Sequence, residues 1–110
     1  MQKAFLKKNE ITAIESLKKE LSSRFNLLDL RIFGSKARKE DTPESDIDIF
    51  IEIDNINSDI EAEIDDIVYK INLENDTFIS TIIFGKKEIE EGPMSESPIY
   101  KVILKEGVPV

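Results

Sequence analysis

The sequence contains no cysteine and no histidine. The first absence excludes disulfides, thiolate zinc sites and cysteine nucleophiles. The second removes serine–histidine catalysis and imidazole metal sites. Any chemistry has to come from carboxylates, lysines, hydroxyls and backbone amides. A bound metal would be held by oxygen, as Mg²⁺, Mn²⁺ and Ca²⁺ are. Basic charge is also scarce: 15 Lys and Arg stand against 23 Asp and Glu, a net charge of −8. That balance argues against an extended nucleic-acid partner, which needs a basic surface to displace counterions. It leaves room for a nucleotide, because a metal ion masks the repulsion locally. No apolar run approaches the roughly 20 residues that span a bilayer, and residues 1–8 are too short in their apolar part for a signal peptide. The expectation is a cytoplasmic protein without membrane contact.

At 110 residues, 40% hydrophobic and 35% charged, the chain has the profile of one folded domain spanning 1–110. It has no repeats and no low-complexity segment. A first helix is predicted over residues 9–24, with Asn9 as N-cap and Ile11, Ile14, Leu17 and Leu21 as its buried stripe. Residues 27–33 read as a strand, Gly34-Ser35 as the turn out of it, and 36–39 as a short helix. Residues 41–45 are a loop by their turn-forming composition. From 46 to 53 the pattern alternates strictly: Ile47, Ile49, Ile51 and Ile53 share one face, and Asp46, Asp48, Phe50 and Glu52 the other.

Residues 59–73 carry Ile60, Ile64, Ile67, Val68 and Ile71 at helical spacing. A third strand is predicted over 77–84 and a short helix over 86–91. A last helix follows over 97–106, with Ser97 as cap, Pro98 in the first turn and Gly107 as terminator. The order α-β-α-β-α-β-α implies an α/β (α+β) fold, a small mixed sheet with helices packed on it. Tyr69 and Tyr100 fall near apolar stripes and are expected to pack in the core, with a partner contact as the alternative for Tyr100.

The chemistry gathers in GSKARKEDTPESDIDIF, residues 34–50. Asp46 and Asp48 are two apart on a strand and project side by side. Two ionised carboxylates so placed repel unless a divalent cation bridges them. Gly34 lets a ligand approach the backbone, and Ser35 offers a hydroxyl and an amide at a helix start, where phosphate is favoured. Together these are the parts of a site for a metal-bound nucleoside triphosphate.

Gly-Ser, ten residues, then Asp-x-Asp resembles the nucleotidyltransferase superfamily of DNA polymerase β. The fuller wording GSKAR…SDIDIFIEI resembles its minimal members, which include MntA-type antitoxins paired with HEPN-domain toxins; SPIYKVILKEGV is similar to their closing helix. The resemblance implies an enzyme that transfers a nucleoside monophosphate, AMP, from Mg-ATP to a hydroxyl, with pyrophosphate leaving. Asp46 and Asp48 would be catalytic and hold Mg²⁺; Gly34, Ser35, Lys36, Arg38 and Ser45 would bind the nucleotide. For Lys36 and Arg38, solvated helix charges are the competing reading. In the antitoxin subgroup the acceptor is a tyrosine of the HEPN toxin, which makes that toxin the implied partner, in a homo- or hetero-oligomer.

One departure from the family pattern matters. A third carboxylate is expected on the next strand, and Ser80 occupies that position here; Asp76 and Glu52 are the candidates to replace it. Two alternatives follow: an antitoxin of the same fold that acts by binding alone, and a nucleotidyltransferase for small molecules.

Overall fold

The computed structural model describes residues 6–38 and 46–110. The chain opens with α1 (Lys8–Arg24), which leads into β1 (Leu27–Phe33) and, without a loop, into the single-turn α2 (Gly34–Arg38). β2 (Ile47–Ile53) is followed by α3 (Ser58–Asn75) and β3 (Ile79–Gly85). After β3 come α4 (Lys86–Glu90), a 3₁₀ turn (Pro93–Glu96), α5 (Pro98–Glu106) and β4 (Val108–Pro109).

The strands form one sheet in the order β3-β2-β1-β4. β1 pairs antiparallel with both β2 and β4, and β2 pairs parallel with β3. A parallel neighbour cannot be reached by a hairpin, and α3 supplies the crossover. This is the mixed α/β sheet that the sequence pattern predicts.

The strict alternation of β2 divides the interior. Ile47, Ile49, Ile51 and Ile53 are buried with Leu30 and Ile32 under α1 and α3. On the opposite face Phe50 joins Phe33, Phe84, Ile89 and Ile103. There Phe50 and Phe84 meet edge to face at 5.7 Å, and Tyr100 lies 6.0 Å from each ring. Tyr100 is therefore a packing residue. Tyr69 is not: it is 63% exposed on α3, because Ile64, Ile67, Val68 and Ile71 already fill the buried stripe.

Several boundaries differ from expectation for local reasons. Helix α1 starts one residue earlier, with Lys7 at the cap position and the Glu10 carboxylate accepting the Lys7 N–H at 2.8 Å. Asn9 caps nothing in α1; its amide donates to the carbonyls of Asn75 and Asp76, tying α1 to the end of α3. Strand β3 starts at Ile79 rather than Thr77. The Asn72 side chain takes the Ile79 N–H at 2.9 Å and the Thr77 hydroxyl at 3.0 Å, which holds the preceding residues in the turn. At the other end of the chain Ser97 caps α5 through the Tyr100 N–H, with Pro98 in the first turn, as the sequence predicts. Strand β4 has only two residues, too few to alternate visibly, and went unpredicted.

Candidate active site

The site lies where β1 ends and β2 begins. Phe33 pairs with Asp48 across the antiparallel ladder, and Asp48 pairs with Ser80 on its other side. The carboxylate of Asp48 therefore stands in the middle of three strands, on the face opposite the isoleucines. Gly34 follows Phe33 with φ +72, in the left-handed region that glycine enters without steric cost. A Cβ at this position would collide with Oδ2 of Asp48. The glycine thus does two things at once: it turns the chain from β1 into α2, and it leaves the space that the aspartate fills.

Burial is the main influence on the Asp48 carboxyl and raises its pKa above the usual 3.8. The neighbouring charge of Asp46 raises it further, and Arg38 pulls it down. Asp46 and Asp48 are thus close enough to repel, and Arg38 is close enough to be felt. Asp46, just before β2, is exposed, and Ser35 is half-buried in the first turn of α2. Arg38 binds Glu106 at 3.0 Å, which fastens α2 to α5 beside the carboxylates. Ser45 lies outside the described residues.

Lys36 turns inward. It is 1% exposed, and its ammonium binds the Glu10 carboxylate at 3.1 Å. A five-residue helix can turn a given side chain either way, and here position 36 points towards α1. This buried pair staples α2 to the start of α1, so Lys36 is not a solvated helix charge. Glu10 was missed as a buried partner, although the signal was present: Glu10, Ile14, Leu17 and Leu21 fall on one helical stripe. A carboxylate on that stripe requires a buried partner.

Ser80 does stand at the expected third position, opposite Asp48 and exposed. Neither candidate replaces it. Glu52 shares the face of Asp48 but lies four residues along the strand, about 13 Å at ~3.3 Å per residue, with buried Phe50 between them. Its own carboxyl is raised first by burial, then by Asp29 and Glu90, which belong to the far end of the sheet. Asp76 is the exposed left-handed cap of α3, three residues before β3. Among the described residues no three acidic side chains converge on a point.

The donor set therefore fits one hard cation on two carboxylates. Mg²⁺ commonly binds in this way, completing its shell with water and substrate phosphate. The placement of Asp48 beside Asp46 favours the fit, since a cation would offset both the burial that chiefly raises the Asp48 carboxyl and the repulsion from Asp46. A strand, a glycine turn and two aspartates at the start of the adjacent strand are the parts of a nucleotidyl-transferring site.

The model of the nucleotidyltransferase domain family matches residues 14–108, and the chain belongs to that family. Its structure is similar to the crystal structure of a "putative nucleotidyltransferase" from Sulfolobus solfataricus. The two share 26% identity with a TM-score of 0.51, over 94% of this chain and 87% of that one. No curated protein matches.

Proposed function

We propose that the protein transfers AMP from Mg-ATP to a tyrosine hydroxyl of a cognate HEPN-domain toxin and thereby silences it. The observation that carries this reading is the Asp48 carboxylate, held over Gly34 with Asp46 beside it. In the transfer, the acceptor oxygen forms a bond to the α-phosphorus. The bond from that phosphorus to the α–β bridging oxygen breaks, and its electron pair leaves on pyrophosphate. The acceptor's proton is released to water; Mg²⁺, when bound, would supply charge neutralisation at the phosphates, Asp46 and Asp48 would hold it, and the backbone at Gly34 and Ser35 would face the phosphates. Arg38 contributes positive charge at the same end of the sheet.

Two features favour a tyrosine on a protein as acceptor. Ser80 cannot take up the acceptor's proton as a third carboxylate would, so a hydroxyl that ionises easily is favoured. A phenol, with a pKa near 10, is the most acidic hydroxyl a protein side chain offers. Asp46 and Ser80 are both exposed, so a large acceptor can reach them. The net charge of −8 suits a basic partner such as an RNA-cleaving toxin.

Ser80 also favours a second reading, in which the chain neutralises its partner by binding and the aspartates are a relic. ATP labelled at the α-phosphate decides between the two, with Mg²⁺ and a HEPN-domain protein offered as acceptor. Label on the HEPN protein that disappears with Asp46→Asn supports transfer. A stable complex that takes up no label, from ATP or from the other nucleoside triphosphates, refutes it and supports inhibition by contact.

A further inference from the structure

The two edges of the sheet are treated differently. At one edge stands β4, two residues long and ending in Pro109, which is short and cannot donate to a ladder at that proline. At the other stands β3, seven residues long, with no charge, no proline and no pairing partner beyond β2 among the described residues. Natural sheets protect an edge with lysine, proline, a bulge or a covering element. In β3 neither charge nor proline does so, and Ser80 to Ile83 remain exposed or half-buried.

Beside this edge lies an apolar patch. Tyr69, Leu73 and Phe78 are 63%, 67% and 66% exposed. With Asn72, Asp76 and Thr77 they line a groove of about 380 Å³. At ordinary side-chain areas the three residues expose about 400 Å², half of the ~800 Å² that each partner buries in a standard interface. The backbone and side chains of β3 provide the remainder.

We propose that a second copy of this chain covers this edge. The two β3 strands pair antiparallel about a twofold axis, and the two sheets become one. The run 77–85 carries no ionisable side chain in a chain of net charge −8, so the paired strands themselves bring no like charges together, and Asp76 is the acid at the margin of the groove. The register that pairs all seven residues puts Ile82 opposite its own copy, Thr81 opposite Ile83, Ser80 opposite Phe84 and Ile79 opposite Gly85. Its centre is thus made of β-branched cross-strand pairs, which are favourable. Such an interface is isologous, as twofold contacts must be. Because Ser80 pairs with Asp48, the strand at the interface is also the one that borders the candidate active site.

The test is sedimentation of the purified protein from about 1 to 200 µM, the range in which an interface of this size is populated, together with amide hydrogen exchange at both extremes. Dimers are expected, with amides of β3 gaining protection as concentration rises. Association should tighten with salt, because Asp76 lines the same groove on both copies. Ile82→Lys should weaken association by at least about tenfold. So should Leu73→Ser with Phe78→Ser, which changes only exposed side chains and leaves the fold in place by circular dichroism. A parent that stays monomeric at the highest concentration overturns the proposal. So does a dimer that survives both variants, or one whose β3 amides exchange as they do in the monomer.

Discussion

Gly34→Ala is the substitution that separates the two roles of the glycine. The first cost is conformational: at φ +72 a residue with a Cβ loses about 1–2 kcal/mol. The second is steric, because the new methyl enters the space of the Asp48 carboxylate. Asp48 is paired on both sides, to Phe33 and Ser80, so its backbone cannot retreat and its side chain must leave its rotamer. That adds about 0.5–1.5 kcal/mol. The expected loss is about 2–3 kcal/mol in urea unfolding followed by circular dichroism.

The decisive comparison uses the Asp48→Ala background. There the steric cost disappears, and Gly34→Ala should lose only the conformational part, leaving a coupling of about 1 kcal/mol between the two positions. Equal costs in both backgrounds would refute the contact as the reason for the glycine. A functional readout runs in parallel. A displaced carboxylate should weaken Mn²⁺ binding, measured by calorimetry, by about 10- to 100-fold.

Other consequences can be tested with the same methods. Burial and then Asp46 raise the Asp48 carboxyl above 3.8, so the folded protein holds that proton more tightly than the unfolded chain. Ionisation of Asp48 therefore opposes folding: the penalty is full above the raised value, shrinks as pH falls through it, and is gone below 3.8. Asp48→Asn should accordingly be more stable than the parent at pH 7 without metal, an advantage that fades on acidification; equal urea midpoints at pH 7 would refute the cost of burying that charge beside Asp46. Lys36→Met leaves Glu10 buried and uncompensated and should cost about 3–5 kcal/mol, whereas adding Glu10→Met should restore most of it. Urea unfolding of the two variants checks this, and a double variant as weak as the single one refutes the pairing. Ser80→Asp puts a third carboxylate opposite Asp48 and should tighten Mn²⁺ binding by about tenfold in calorimetry; unchanged affinity would mean that position 80 does not face the ion.

The parts of this protein that could be read from its sequence are those governed by a period. Strand β2 declares both of its faces through the alternation of Ile47 to Ile53 with Asp48, Phe50 and Glu52, and that one pattern locates the candidate site and both halves of the core. The closing helix was legible because Ser97, Pro98 and Gly107 mark its ends by their own chemistry. What could not be read depends on which elements become neighbours. That Leu73 and Phe78 stay exposed follows from the strand order, which puts β3 at the edge of the sheet with no described strand beyond it to cover them.

Lys36 is the instructive case, since its neighbours Ser35 and Arg38 invite a phosphate-binding reading by proximity in sequence alone. A helix of one turn has no period from which to learn its inward face. The information lay instead 26 positions earlier, in a glutamate occupying the first place on an apolar stripe. A buried carboxylate has to be paired, and the cation nearest in the fold, not the one nearest in sequence, is the one it takes. Lys36 is buried on Glu10, whereas Arg38 pairs with Glu106 while staying 40% exposed, and its charge is felt at Asp48.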